Sequence, residues 1–474
     1  MKATSKLIVW MTLLSGAFAG DCRGKAPAME SWSLDQSAVS TQLKHFVAEK
    51  ESQSEQFSRA TGQPIAPEFK ALFAAAAKGD CQTVTNFFDT MLKHGPQYDG
   101  DGRDENMRGP IWETVKETTA TFQLFVNGGD KYMAAFGRDV IQCVPPGSIY
   151  FGSSDPGRFL VTALSTSQPD GQPFFTLTQN ALADRSYLDY LRLTYRGKIY
   201  TPTHEDHEQR IQDYEEDAWQ RLQRHELKPG EMVFTNADKS MEFSGQVAVM
   251  EMNARLVKTI FDHNPGRQFY IEENYPLDWL YPYLEPHGLI LKINRTPLSS
   301  LPDEVVAGDQ NYWGKYLAPM IGDGPGPAGS VAETVAFAEK VYLRHDLNDF
   351  KGDPEYTQNM LAQKTFSDLR CDIGGVYEWR ALHAAGPDEK TRMSAAADFA
   401  FRQAWALCPY SPMATVRYVN FLLSENRIKD ALLLAETAAK FPPTQWSDPA
   451  SFQAIASQLK HYQIEFQRGK QLPG

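Results

Sequence analysis

A chain of 474 residues with 42% hydrophobic and 12% aromatic side chains can bury large cores, and its length fits roughly two or three domains. Its formal charge of -12, from 59 acidic against 47 basic side chains, sets the surface against nucleic-acid backbones and anionic membranes. The five cysteines, Cys22, Cys81, Cys143, Cys371 and Cys408, are far apart and form no C-x-x-C, which excludes a disulfide scaffold and a structural zinc site and leaves one unassigned bridge open.

The chain opens "MKATSKLIVWMTLLSGAFAGDC". Lys2 and Lys6 precede an apolar stretch, Leu7 to Leu14, that is too short to span a bilayer, and Ala17-Phe18-Ala19 is a small-x-small cleavage site. The pattern predicts a secretory signal peptide over 1–19 and a mature chain that begins near Gly20, in the periplasm or the medium. Asp21 argues against lipid attachment at Cys22, because the residue before a lipidated cysteine is small and neutral. No later stretch is long and apolar enough to cross a membrane, so the mature chain is expected to have no transmembrane segment.

Residues 20–65 read as a polar lead-in with one amphipathic stretch, Leu43 to Val47. "PEFKALFAAAAKGDCQTVTNFFDTMLKHG" predicts a helical hairpin over 66–95. Phe69, Leu72 and Phe73 line the first helix, Gly79-Asp80 turns the chain, and Val84, Phe87, Phe88 and Leu92 line the second. In the loop that follows, Asp99 and Asp101 have the spacing of calcium ligands, but Arg103 occupies a ligand position and no Glu closes the loop.

An α/β domain is expected over 108–320. Helices near 110–126 and 130–144 lead into a short strand, Ser148–Gly152. A helix follows Pro156, a strand lies in "PFFTLTQ", and "DRSYLDYLRLTYRG" is helical, an alternation that predicts a parallel sheet with covering helices. "THEDHEQRIQDYEEDAWQRLQRHE" predicts a charged helical arm near 203–226 with a solvated face. His204 and His207 share a face of that arm, but nothing nearby completes a metal site.

"NPGRQFYIEENYPLDWLYPYLEPHGLILKIN" then repeats the design of "GSIYFGSSDPGRF" at an offset of 120 residues. Tyr150 falls on Tyr270, Pro156 on Pro276, Phe159 on Trp279 and Leu160 on Leu280. Each strand follows an amphipathic helix and a Pro-Gly turn. Leu277, Leu280, Tyr281 and Leu284 form one helical face, with Trp279 and Tyr283 at its rim. The expected fold is an α/β core whose mostly parallel sheet is built from two similar β-α-β units, flanked by α-helical hairpins at the C-terminus.

Beyond "IGDGPGPAGS" the chain is predicted to be helical over 330–465. Ala397, Phe401, Ala404 and Pro409 recur 34 residues later as Ala431, Ala435, Ala438 and Pro443. Over 374–443 this resembles the tetratricopeptide repeat, and "ENRIKDA" resembles that family's inter-helix turn, with Asn426 where Gly is commoner. The resemblance implies helical hairpins that dock partners or, being two repeats, cap the α/β core. More widely, "VMEMNARLVKTIFDHNPGRQFYI" and "LYPYLEPHGLILKIN" before helical repeats resemble, over about 110–443, the soluble exported tail of bacterial multi-spanning membrane proteins similar to protein O-mannosyltransferases. This sequence has no multi-spanning region, where that family's chemistry would reside, so neither activity nor catalytic residues carry over.

Ligands of α/β sheets gather beyond the carboxyl ends of strands, where helix N-termini present free N–H groups. That rule places Ser153, Ser154, Asp155 and Arg158 at one tip and Glu272, Glu273, Asn274 and Asp278 at the other, with Trp279 and Tyr281 as aromatic walls. Such a crevice suits a sugar or a peptide. In the alternative, Ser and Asp cap the helix and Arg158 pairs with an acid. There is no P-loop, dinucleotide fingerprint or G-x-S-x-G, and no cofactor or metal is expected. The chain therefore reads as an exported, non-catalytic protein that binds a protein partner or glycan in the cell envelope, and not nucleic acid. The alternative is an exported glycan-acting enzyme using Asp155 with Glu272 or Glu273, whose carboxylates would lie roughly 5–10 Å apart across an open cleft.

Overall fold

The computed structural model describes residues 36–93, 107, 109–128, 131–165, 170–235, 241–273, 277–322, 324 and 326–467. The expected signal peptide, the loop carrying Asp99 and Asp101, Asn274 and Pro276 lie outside the described residues.

The described part of the lead-in is a 26-residue helix, α1 (Gln36–Thr61). Its apolar anchors, Phe46, Val47 and Phe57, are too sparse to announce a helix. What holds it is polar contact with distant chain. Lys50 is buried, 2.6 Å from Glu117 and donating to the Tyr190 hydroxyl at 3.0 Å, and the Ser54 and Thr114 hydroxyls lie 2.6 Å apart. The hairpin α2 (Pro67–Ala77) and α3 (Cys81–Lys93) follows as expected, with Phe69, Leu72 and Phe73 buried.

Next come α4 (Pro110–Gly128), α5 (Lys131–Cys143), β1 (Ile149–Gly152), α6 (Asp155–Leu164), β2 (Phe175–Thr178), α7 (Arg185–Tyr195) and the charged arm α8 (His204–Gln223). Thr203 and Asp206 form a capping box at the start of α8. A hairpin not anticipated from the sequence, β3 (Met232–Thr235) with β4 (Met241–Ser244), precedes α9 (Gln246–His263). A small separate core of Tyr214, Ala218 and Ala248, with Phe243 and Met252 against it, ties this hairpin to α8 and α9.

After β5 (Phe269–Ile271), a single 3-10 segment, Asp278–Tyr283, leads into β6 (Leu284–His287) and β7 (Ile290–Ile293). The sheet order is β2-β1-β5-β7-β6. β1 is parallel to both β2 and β5, as expected of strands in one mostly parallel sheet, and the pairing sets Tyr150 beside Tyr270. β7 runs antiparallel to β5 and β6. The sheet is therefore mixed, and its parallel part ends at β5. The expected helical face of Leu277, Leu280, Tyr281 and Leu284 is likewise replaced by the 3-10 segment and a strand. Pro282 lies inside that segment and would interrupt an α-helix. Gly288, at φ +75°, then makes the tight turn that reverses the chain between β6 and β7.

The remaining elements are α10 (Asp303–Ile321), α11 (Val331–Ala338), α12 (Met360–Leu382), α13 (Pro387–Leu407), α14 (Pro412–Ser424), α15 (Ile428–Ala438) and α16 (Pro449–Gln467). α11 runs on into a π-helical turn, Glu339–Leu343. Helices α12 and α13 pack as one hairpin, and α14 and α15 as the next. Ala397, Phe401 and Ala404 on α13 and Ala431, Ala435 and Ala438 on α15 are fully buried. Asn426 has φ +59°, the left-handed conformation for which Gly is the usual residue. One hydrophobic cluster runs from Val47 to Leu459, so the sheet and the C-terminal hairpins share a core. Among the described residues no helix is long and apolar enough to cross a membrane, and Cys81, Cys143, Cys371 and Cys408 are unbridged.

Candidate functional site

Strand β1 ends at Gly152, and the chain turns through Ser153 and Ser154 into α6. Ser154 caps the helix, its hydroxyl accepting from the Gly157 N–H at 2.9 Å, and Pro156 occupies the first turn. Alongside, the backbone of Glu272 leaves β5, its N–H donating to the Phe151 carbonyl at 3.0 Å. The Glu272 carboxylate then folds over the N-terminus of α6. It accepts from the Ser153 N–H, from the Ser154 N–H at 3.2 Å and from the Ser154 hydroxyl at 2.8 Å. Two glycines make room. A Cβ at Gly157 would lie 2.1 Å from Glu272 Oε1, and one at Gly152 would lie 2.7 Å from the Gly157 carbonyl oxygen. The seat where an α/β sheet offers N–H groups to an anion is thus filled by the chain's own carboxylate.

Glu273 sits differently. It is 3% exposed, and its Oε1 has no hydrogen-bond partner. Its charged neighbours are Glu272 and, on α12, Asp368, Asp372 and Lys364. Lys364 pairs with Asp368, to which the Ser411 hydroxyl also donates at 3.1 Å, and Arg417 reaches Asp372 at 3.1 Å. Four carboxylates and two cations therefore meet where the sheet abuts α12. Burial pushes the Glu272 carboxyl up to about 8 against the pull of its three donors. Burial, and then the charges of Glu272, Asp368 and Asp372, raise Glu273 well above the carboxylate range. Both carboxyls are therefore shifted toward their protonated forms at neutral pH, Glu273 the more so because its Oε1 lacks donors.

The other expected residues are dispersed. Asp155 is exposed in the first turn of α6. Arg158 lies over the Phe159 ring at 4.4 Å and 3.9 Å from the buried Glu113 of α4, the acid pairing foreseen as the alternative to a site. Asp278 opens the 3-10 segment, its carboxyl raised by burial and pulled back by Lys228. Trp279 donates to the Ala254 carbonyl at 3.1 Å and packs against Phe261 at 5.7 Å. Tyr281 stacks on Trp379 at 5.7 Å. His207 hydrogen-bonds the Ala183 carbonyl at 2.7 Å, and no cluster of three or more metal-ligating side chains occurs among the described residues.

Lys364, Asp368 and Asp372 were not foreseen, although a signal exists. Their spacing of four puts three charged side chains on one face of α12. Open concavities lie elsewhere among the described residues. One, about 390 Å³, is bounded by Ile321, Glu333, Phe337, Lys340 and Phe350. Another, about 350 Å³, is bounded by Arg267, Gln268, Tyr270, His287, Lys292 and Arg295. No family model, curated protein or solved structure matches the chain.

Proposed function

We propose that the chain is an exported, non-catalytic protein that binds a protein partner or a glycan in the cell envelope. The observation that carries this reading is the position of Glu272. Its carboxylate is 1% exposed and accepts three hydrogen bonds from the turn into α6, so the strand-end seat is closed to an outside anion. A glycan-acting enzyme using Asp155 with Glu272 or Glu273 would need those carboxylates free across an open cleft. The burial of both glutamates weighs against it. The α12–α15 hairpins, with their resemblance to tetratricopeptide repeats, offer the docking face for a partner.

The test has two arms. The mature chain is incubated with a panel of envelope polysaccharides and assayed for new reducing ends, and in parallel it is applied to a glycan array and used for affinity capture from its own cell envelope. Retention of a defined glycan or a stoichiometric partner, without new reducing ends, is the expected result. New reducing ends that disappear in Asp155→Asn would reverse it in favour of the enzyme.

A further inference from the structure

The smaller concavity lies at the opposite end of the sheet from Glu272 and owes its existence to the mixed topology. Antiparallel pairing sets the carboxyl end of β7 beside the amino end of β5, so Lys292 and Arg295 meet Arg267 and Gln268. Register places Tyr270, Lys292 and Glu285 in a row on one sheet face, with His287 stacked on Tyr270 at a ring separation of 5.0 Å.

The two arginines are held rigidly by neutral groups. Arg267 donates to the Gly147 and Lys198 carbonyls, both at 3.1 Å, and lies 5.1 Å over the Phe175 ring. Arg295 donates to the Phe261 carbonyl at 2.8 Å and lies 3.9 Å over that residue's ring. A guanidinium carries five N–H donors, so these bonds leave three on Arg267 and four on Arg295 for a ligand. Neither arginine has a carboxylate partner among the described residues. Lys292 is 3.9 Å from Glu285, too far for a hydrogen bond. Three cations thus border one hollow on a chain whose net charge is -12, two of them fixed by carbonyl bonds and the third, Lys292, facing Glu285. Gln268, whose carbonyl oxygen accepts from the Tyr270 hydroxyl at 2.9 Å, keeps its amide N–H donors. A hollow of about 350 Å³ falls in the size range of small-molecule sites.

We propose that this concavity binds an acidic sugar, the arginines and Lys292 taking its carboxylate or phosphate oxygens and Gln268 a ring hydroxyl. Arginine forks match planar oxyanions in two places at once, and fixed donors bind without a further ordering cost. The inference deepens the glycan reading above and rests on it.

The experiment is calorimetric titration of the mature chain with glucuronate, glucose 6-phosphate, inorganic phosphate and neutral glucose. It is repeated with Lys292→Glu, because Lys292 holds no backbone group, and the variant's melting temperature is read alongside because the change sets a second carboxylate opposite Glu285. The acidic sugars should bind more tightly than inorganic phosphate, glucose should not bind, added salt should weaken the complexes, and Lys292→Glu should lower affinity about tenfold or more. The proposal is overturned if no acidic sugar binds, if phosphate or glucose binds as well as the acidic sugars, or if Lys292→Glu binds like the parent. Glycan retention or partner capture that persists alongside such a failure would remove this site and leave the wider binding reading intact.

Discussion

Glu272 and Glu273 are neighbours in sequence, yet one carboxylate is surrounded by donors and the other has an oxygen with none. The side chains of consecutive residues leaving a strand point to opposite sides, so one meets the α6 N-terminus and the other meets α12. The pH dependence of stability follows from this pair. In the unfolded chain both titrate near 4.5, whereas folding raises Glu272 to about 8 and lifts Glu273 well above the carboxylate range. The native state then binds more protons than the unfolded state between those values. The pair's contribution to stability is complete below pH 4.5 and is lost as pH rises towards 8. Glu273→Gln keeps the shape and removes the desolvated charge. It should raise stability more at pH 8 than at pH 4.5, as urea unfolding at the two pH values would read, and an equal change at both would show that Glu273 does not carry the proton.

At the scale of elements, the β1–α6 turn is the clearest case of sequence and structure agreeing. Ser154 and Pro156 are ordinary signals of a helix start, and they place it correctly. The sequence does not disclose that Gly157 is small because Glu272, 115 positions later, lies against it. Ala would ordinarily favour a helix at this position. Here its Cβ would collide with a carboxylate that is buried and held by three donors, so Gly157→Ala should cost about 1–3 kcal/mol in chemical denaturation. In a Glu272→Ala background the same change should cost much less, a coupling that a double-mutant cycle measures directly. The second unit shows the limit of pattern reading. Its strand, and its place in the same sheet as β1, were legible in the sequence, but Pro282 and the Gly288 turn diverted the chain into an antiparallel hairpin.

Across the whole molecule, the sheet region and the C-terminal hairpins are joined by buried charge as well as by shared apolar core. Arg370 on α12 is fully buried and its Nη1 donates to both carboxylate oxygens of Asp309 on α10, at 2.8 and 3.0 Å. Tyr377 donates to the same carboxylate at 2.8 Å, and Gln403 of α13 accepts from Arg370 Nε at 2.8 Å. Removing one partner leaves the other charge desolvated and unpaired. Arg370→Ala should therefore destabilise the protein by about 3–5 kcal/mol in urea unfolding. The double change Asp309→Leu with Arg370→Met removes both charges at similar volume and should recover most of that loss. If the double variant is as unstable as the single one, the pair is not an isolated electrostatic clip.

The sequence by itself determined the features written in local chemistry. These are the α2–α3 hairpin, the charged arm α8, the helix start at Pro156, the two parallel strands, and the small residues buried on α13 and α15. Each depends on propensity, capping or periodicity over a few turns of chain, and such signals survive in a one-dimensional text. Only the tertiary structure decided the rest. Whether the strand-end carboxylates would face solvent or seal a helix N-terminus turned on how β5 lies against β1 and α12. Whether α1 would form turned on partners for Lys50 and Ser54 between 60 and 140 residues away. The basic concavity arose because antiparallel pairing brought Arg267 to Lys292 and Arg295. In each case a polar group was assigned its role by the partner that desolvates it, and the energy of such a contact depends on distance in space, which residue spacing does not record.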